Sequence, residues 1–148
     1  MKTNVSIFLM TLILGSASAQ VKMQKQNDGL LFTENNEKVF FYQIEPKNID
    51  GKYERCNYIH PLWGLDGNVL TEDFPADHFH HRGVFWAWHQ IWIDGRRIGD
   101  GWEIRDFEQK VNEVEFFLRK DGSAVLKTGV AWQSEKWKKQ GRKVPYLQ

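Results

Sequence analysis

Three of the six Asp-Gly pairs, Asp66-Gly67, Asp94-Gly95 and Asp121-Gly122, punctuate apolar runs in a chain without any capped amphipathic helical pattern or internal repeat. Asp-Gly suits the tight hairpin turn whose central residues both need positive φ. The flanking runs are short and rich in β-branched and aromatic residues, as strands are. Tyr58 to Trp63 is joined through the first turn to Asn68 to Thr71. The second closes the run Val84 to Ile93, and the third joins Val111–118 to Ala124–132. Further upstream, Leu30 to Thr33 and Lys38 to Ile44 flank Glu34-Asn35-Asn36-Glu37 as strand, turn, strand. The spacing predicts an all-β chain built as an antiparallel β-sandwich.

The run from 84 to 93 places Val84, Trp86, Trp88, Gln90 and Trp92 on one face and Phe85, Ala87, His89, Ile91 and Ile93 on the other. Both faces are apolar, which predicts a central strand covered on each side, with most of its tryptophans in the core. Residues 46–51, with Pro46, Asn48, Asp50 and Gly51, read as an aperiodic loop. Residues 20–28 are polar and read as a flexible N-terminus, with order beginning at Gly29. Near the other end, Lys136, Lys138, Lys139, Arg142 and Lys143 form a solvated basic turn, after which Val144 to Leu147 starts a strand without an evident partner.

Residues 1–19 read as a secretory signal: Lys2, an apolar run from Val5 to Leu14, then Gly15-Ser16-Ala17-Ser18-Ala19, with cleavage after Ala19. Ten residues are too few for a bilayer span, which takes ~20. The expectation is therefore an exported protein, periplasmic or secreted, with no membrane span once the signal is removed. One cysteine, Cys56, excludes an intrachain disulfide framework. A net charge of +1 with interleaved signs gives no field for capturing nucleic acid.

Chemistry concentrates in one segment. All five histidines lie between 60 and 89, and five of the seven tryptophans between 63 and 102. The densest stretch is Asp73-Phe74-Pro75-Ala76-Asp77-His78-Phe79-His80-His81-Arg82-Gly83. Three readings fit it. In the metal-free one, His78, His80 and His81 act as acid and base, Asp77 orients an imidazole, and Arg82 holds a substrate oxygen. In the second, an extended 77–81 segment points His78 and His80 the same way to bind a divalent metal, with His60, His89 or Glu103 as third ligand. In the third, the loop is structural, its buried His and Arg side chains bonding loop carbonyls and Gly83 supplying a conformation denied to other residues. Trp63 and Trp102, beside glycines, are candidate stacking platforms, with His60 and His89 as further substrate contacts. With no excess charge, a neutral small molecule or carbohydrate fits such platforms better than nucleic acid. The leading expectation needs no cofactor, and a binding or scaffold protein without catalysis fits the same residues.

Tyr58-Ile59-His60-Pro61-Leu62-Trp63-Gly64-Leu65-Asp66-Gly67, the 73–83 stretch and the aromatic run after it resemble the bacterial PmoA-like family, often labelled "methane oxygenase PmoA". The likeness is strongest over 58–103 and extends over 28–148; where the family usually has Pro, this chain has Phe79. The resemblance implies a β-sandwich of the galactose-mutarotase type in proteins of uncharacterised activity. It also implies that residues 29–148 form the N-terminal part of a longer sandwich domain. The label's literal activity is not implied, because residues 20–148 contain no run of ~20 apolar residues.

Overall fold

The computed structural model describes residues 20–147, so the expected signal at 1–19 lies outside the described residues. Within them the chain is all-β and antiparallel, and no helix is long and apolar enough to cross a membrane. Strands β1 (Val21–Lys25), β2 (Gly29–Glu34), β3 (Glu37–Gln43), β6 (Tyr58–Leu62) and β7 (Val84–Phe85) form one sheet in the order β1-β2-β3-β6-β7. The others pair as hairpins: β4 (Lys47–Ile49) with β5 (Lys52–Arg55), β8 (Ile91–Ile93) with β9 (Arg96–Gly99), β10 (Glu108–Leu118) with β11 (Ala124–Gln133), and β12 (Lys138–Lys139) with β13 (Arg142–Lys143).

Four of these turns have two residues, both at positive φ: Asn35-Asn36, Asp50-Gly51, Asp94-Gly95 and Gln140-Gly141. That backbone matches the right-handed twist of the strands it joins, which is why Asn, Asp and Gly dominate it. Two sequence expectations change here. The 46–51 "loop" is half of the β4–β5 hairpin, whose strands are too short to show a period. Residues 21–25 are a strand paired to β2 in full register, Val21 opposite Glu34 and Lys25 opposite Leu30, so order begins before Gly29. Polar composition misled because β1 is an edge strand, where side chains stay partly exposed.

The strand enclosed on both faces is β2, buried from Gly29 to Thr33. Leu30, Phe32 and Tyr42 form one cluster, and Phe116 and Leu126 of the β10–β11 hairpin pack on it from the other layer, giving a sandwich-like arrangement. Phe32 stacks on its strand partner Phe40 at 4.4 Å and meets Phe116 edge-on at 5.6 Å. A second cluster, Ile91, Ile98, Phe107 and Trp132, joins the β8–β9 hairpin to the far end of β11. Each such side chain contributes roughly 1.5–3 kcal/mol when fully buried. The last residues also find a partner, since Leu147 bridges Trp132 and Tyr146 N donates to the Trp132 carbonyl at 3.0 Å.

The 84–93 run is not one strand. Pairing with β6 ends at Tyr58 opposite Phe85, because Asn57 turns away at φ 57° and donates its N–H to Gln43. Strand geometry resumes only at Ile91, after Gln90 at φ 58°. Trp86, Trp88 and Trp92 are consequently 70, 53 and 58% exposed rather than core residues.

Candidate functional site

The histidine-rich segment is a closed loop. Asp73 bridges Arg82 across its neck, and two successive turns, His78 N to Pro75 O at 3.1 Å and His81 N to His78 O at 2.8 Å, curl the part between. Turns rather than extended chain place His78 and His81 three residues apart on one side, their rings stacked at 4.8 Å and 14°. His80 meets His81 edge-on at 4.6 Å.

Two buried arginines hold this loop from beneath. Arg55 donates to the His81 carbonyl at 2.7 Å, to the Phe79 carbonyl, to the Tyr53 carbonyl at 3.0 Å and to Asp73 Oδ1 at 3.0 Å, and its guanidinium lies on the Phe74 ring. Arg82 donates to the His80 carbonyl at 3.1 Å and the Gly101 carbonyl at 3.0 Å, stacked on Phe85. Three successive carbonyls, 79 to 81, are thus fixed by side chains that are themselves out of water. Asp73 is the counter-charge, accepting also from Tyr58 Oη at 2.8 Å and Lys47 Nζ at 2.6 Å. Burial, and then the neighbouring Arg55, push the Arg82 pKa down to about 10, so it remains a cation at neutral pH. Gly83 closes the loop at φ 51°, where a Cβ would sit 2.0 Å from the Ile59 carbonyl oxygen.

Above this base lies a cleft of about 400 Å³ lined by Thr71, Asp77, His78, His81, Phe85 and Trp102. Trp102 is 43% exposed and sits 5.5 Å from the His81 ring and 6.1 Å from that of His80. Burial, reinforced by the His81 and His78 imidazoles, holds His80 below the ordinary histidine pKa, which favours its neutral form. Asp77 accepts from His78 Nδ1 at 3.0 Å, and that bond lowers its own carboxyl pKa.

Trp102 belongs to a turn, residues 100–103, that is anchored to the loop by Arg82 through Gly101. Its first residue, Asp100, is 0% exposed; Oδ1 accepts from the Trp102 and Glu103 N–H groups at 3.0 Å, and Oδ2 from Arg97 at 2.7 Å and His89 Nδ1 at 2.8 Å. Burial acts to raise this carboxyl, but the Glu103 N–H and the His89 bond outweigh it and hold the pKa low.

A family model described as a family of unknown function (DUF6807) matches residues 29–144. The chain belongs to that family. No curated protein and no solved structure matches it.

Of the residues singled out in the sequence, Asp77, His78, His81 and Trp102 line one cleft, and His80 stands beside it against the His81 and Trp102 rings. Arg82 lies in the floor of that cleft, and its terminal nitrogens donate to the His80 and Gly101 carbonyls, so it positions the loop. Trp63 does not line this cleft; it lies by the β2–β3 turn beneath Lys38, lining a different depression. His60 bonds Thr71 Oγ1 at 2.9 Å and backs onto Gly83, one layer behind the cleft wall, and burial lowers its pKa. The segment carrying the His78/His80 pair is turned and not extended, with the two rings 5.9 Å apart at 73°. Among the described residues, the His/carboxylate group whose ligand atoms lie within 4.8 Å of one another is His89, Asp100 and Glu103. In it both Asp100 oxygens already accept donors, one of them the Arg97 guanidinium, an occupied set that suits orienting an imidazole better than holding a cation. Sequence reasoning missed Arg55, Tyr58, Asp73 and Asp100. For Asp100 a signal existed: the Asp94-Gly95 turn sets Ile91 opposite Gly99, so one step further the register brings residues 89–90 to Asp100.

Proposed function

We propose that the cleft binds a neutral, hydroxyl-rich ring of the carbohydrate class, with His78, His80 and His81 exchanging protons or hydrogen bonds with its hydroxyls and Trp102 supplying an apolar face. The observation behind this reading is the stacked and edge-on imidazole cluster standing against an exposed tryptophan. What a ligand meets in the cleft is imidazole, the Thr71 hydroxyl and the Glu72 and Asp77 carboxylates; the buried arginine charge beneath is spent on backbone carbonyls. Such groups recognise hydroxyls rather than anions, and an aromatic face takes up the apolar side of a sugar ring. Within this reading Asp77 orients His78, and the protein acts after export, as its N-terminal leader pattern suggests. The likeness to PmoA-like proteins adds a mutarotase-type sandwich to the proposal and no oxygenase chemistry.

Saturation-transfer NMR against a panel of neutral mono- and oligosaccharides tests it. Binding is expected in the wild type, lost in Trp102→Ala and His81→Ala, and retained in Trp63→Ala. No binding to any member of the panel, or binding indifferent to Trp102, overturns it.

A further inference from the structure

The imidazole best prepared for proton transfer lies outside the cleft cluster, on the other side of the 100–103 turn. His89 donates from Nδ1 to Asp100 Oδ2 at 2.8 Å, and Asp100 is immobilised by the backbone N–H groups of Trp102 and Glu103 and by Arg97. The ionised carboxylate can only accept, so the proton sits on Nδ1 and the lone pair on Nε2. The one partner of Nε2 agrees: the Gln90 side-chain nitrogen, 3.3 Å away, is a donor. Gln90 is exposed, and its amide can yield that position to a ligand without leaving a buried group unsatisfied. His89 itself is 54% exposed, beside the half-exposed Trp88, while its orienting carboxylate is 0% exposed. An accessible base on a buried, fixed carboxylate is the arrangement that selects one tautomer and stabilises the imidazolium formed when a proton is taken.

The backbone supports the same reading. Gln90 is held at φ 58°, an uncommon conformation for a residue with a Cβ, and its N–H points at Asp100 Oδ2 at 3.4 Å. Gly101 N donates to the Trp88 carbonyl at 2.8 Å, locking the segment before His89 to the turn that carries Asp100. The chain therefore breaks an otherwise apolar strand pattern at the place where His89 meets Asp100. A solvated surface ion pair needs none of these restraints.

We infer that His89 and Asp100 form a general-base dyad acting through His89 Nε2 on water or on a ligand hydroxyl. With an activated ester the step is as follows: Nε2 takes a proton from water, the water oxygen bonds to the acyl carbon, and the carbon–oxygen bond to the leaving phenolate breaks. The acid and the phenolate depart, and His89 returns its proton to solvent. This inference goes beyond the carbohydrate reading and stands without it, since it requires no occupant in the cleft.

Two measurements test it on the full chain. Nitrogen-15 correlation spectra of the imidazoles at neutral pH are expected to show His89 protonated at Nδ1; a predominant Nε2–H tautomer overturns the dyad. Hydrolysis of p-nitrophenyl acetate is expected to fall at least tenfold in His89→Gln and in Asp100→Asn, and to stay within twofold of wild type in Glu115→Gln, on the exposed face of the β10–β11 hairpin. Because His89 is at the surface, His89→Gln should fold normally, which near-ultraviolet circular dichroism checks. An unchanged rate in folded His89→Gln overturns the inference, and sugar binding, measured separately, is unaffected by either result.

Discussion

Arg55 and Asp73 meet at 3.0 Å with their side chains only 0 and 3% exposed, and this pair underpins every imidazole of the cleft. Arg55 reaches two loop carbonyls while Asp73 closes the loop neck and collects Tyr58 and Lys47. Removing the carboxylate in Asp73→Ala strands a buried guanidinium beside a second one, Arg82. The expected cost is about 3–5 kcal/mol, the usual penalty for breaking a buried pair from one side. Urea unfolding checks it, and a loss below about 1 kcal/mol would show that the loop does not depend on this pair.

The all-β class and three of the six hairpins, β2–β3, β8–β9 and β10–β11, were legible in the sequence because their turns advertise themselves: Asn35-Asn36, Asp94-Gly95 and Gly122 take the positive φ that their chemistry favours. The histidine loop was legible as a site from its composition, but not its geometry. Whether 77–81 runs extended or turned depends on the Pro75 and His78 carbonyls being free to accept, and on Arg55, more than twenty residues upstream, holding the carbonyls that remain. Side chains that fix a loop from a distant strand leave no local pattern. The same holds for the 84–93 run, whose alternation is sound but whose neighbour, Asn57, turns away and ends the ladder.

Gly83 and Gly51 both have positive φ but differ in surroundings. A Cβ at Gly51 would have no neighbour within 4 Å, whereas at Gly83 it would strike the Ile59 carbonyl at 2.0 Å and His60 Cβ at 2.9 Å. Gly51→Ala should therefore cost only the backbone strain, about 1 kcal/mol. Gly83→Ala adds displacement of β6 and should cost clearly more and broaden the His78 and His81 resonances. Equal thermal stability of the two variants would contradict this placement.

Cys56 is 2% exposed, with Sγ facing the Gln109 carbonyl at 3.2 Å. Burial, the dominant influence, pushes its thiol up to about 12. At pH 8 the thiolate fraction is then on the order of one in ten thousand, and the reagent lacks access as well. Labelling with a chromogenic disulfide should proceed only as fast as the protein opens, and should accelerate by orders of magnitude in denaturing urea. Rapid stoichiometric labelling of the native protein would show that the β5–β6 junction is not closed over this residue.

Acid should destabilise the fold through its histidines before its carboxylates. Burial is the leading cause that lowers the pKa of both His60 and His80 from the ordinary value of 6.5. As pH falls through that value the unfolded chain takes up protons that the folded chain does not, so the equilibrium moves toward unfolding. Stability is thus complete above about pH 6.5 and declines below it until the folded-state pKa values are passed. Asp100, whose folded pKa is also low, adds its loss only at more acid pH, below the ordinary carboxylate value of 3.8. Thermal unfolding of wild type at pH 7.5 and pH 5.5 should show a drop that shrinks in His80→Gln and shrinks further in His60→Gln/His80→Gln. If the double variant loses as much stability as wild type over that interval, these two imidazoles are not the groups that protonate on unfolding.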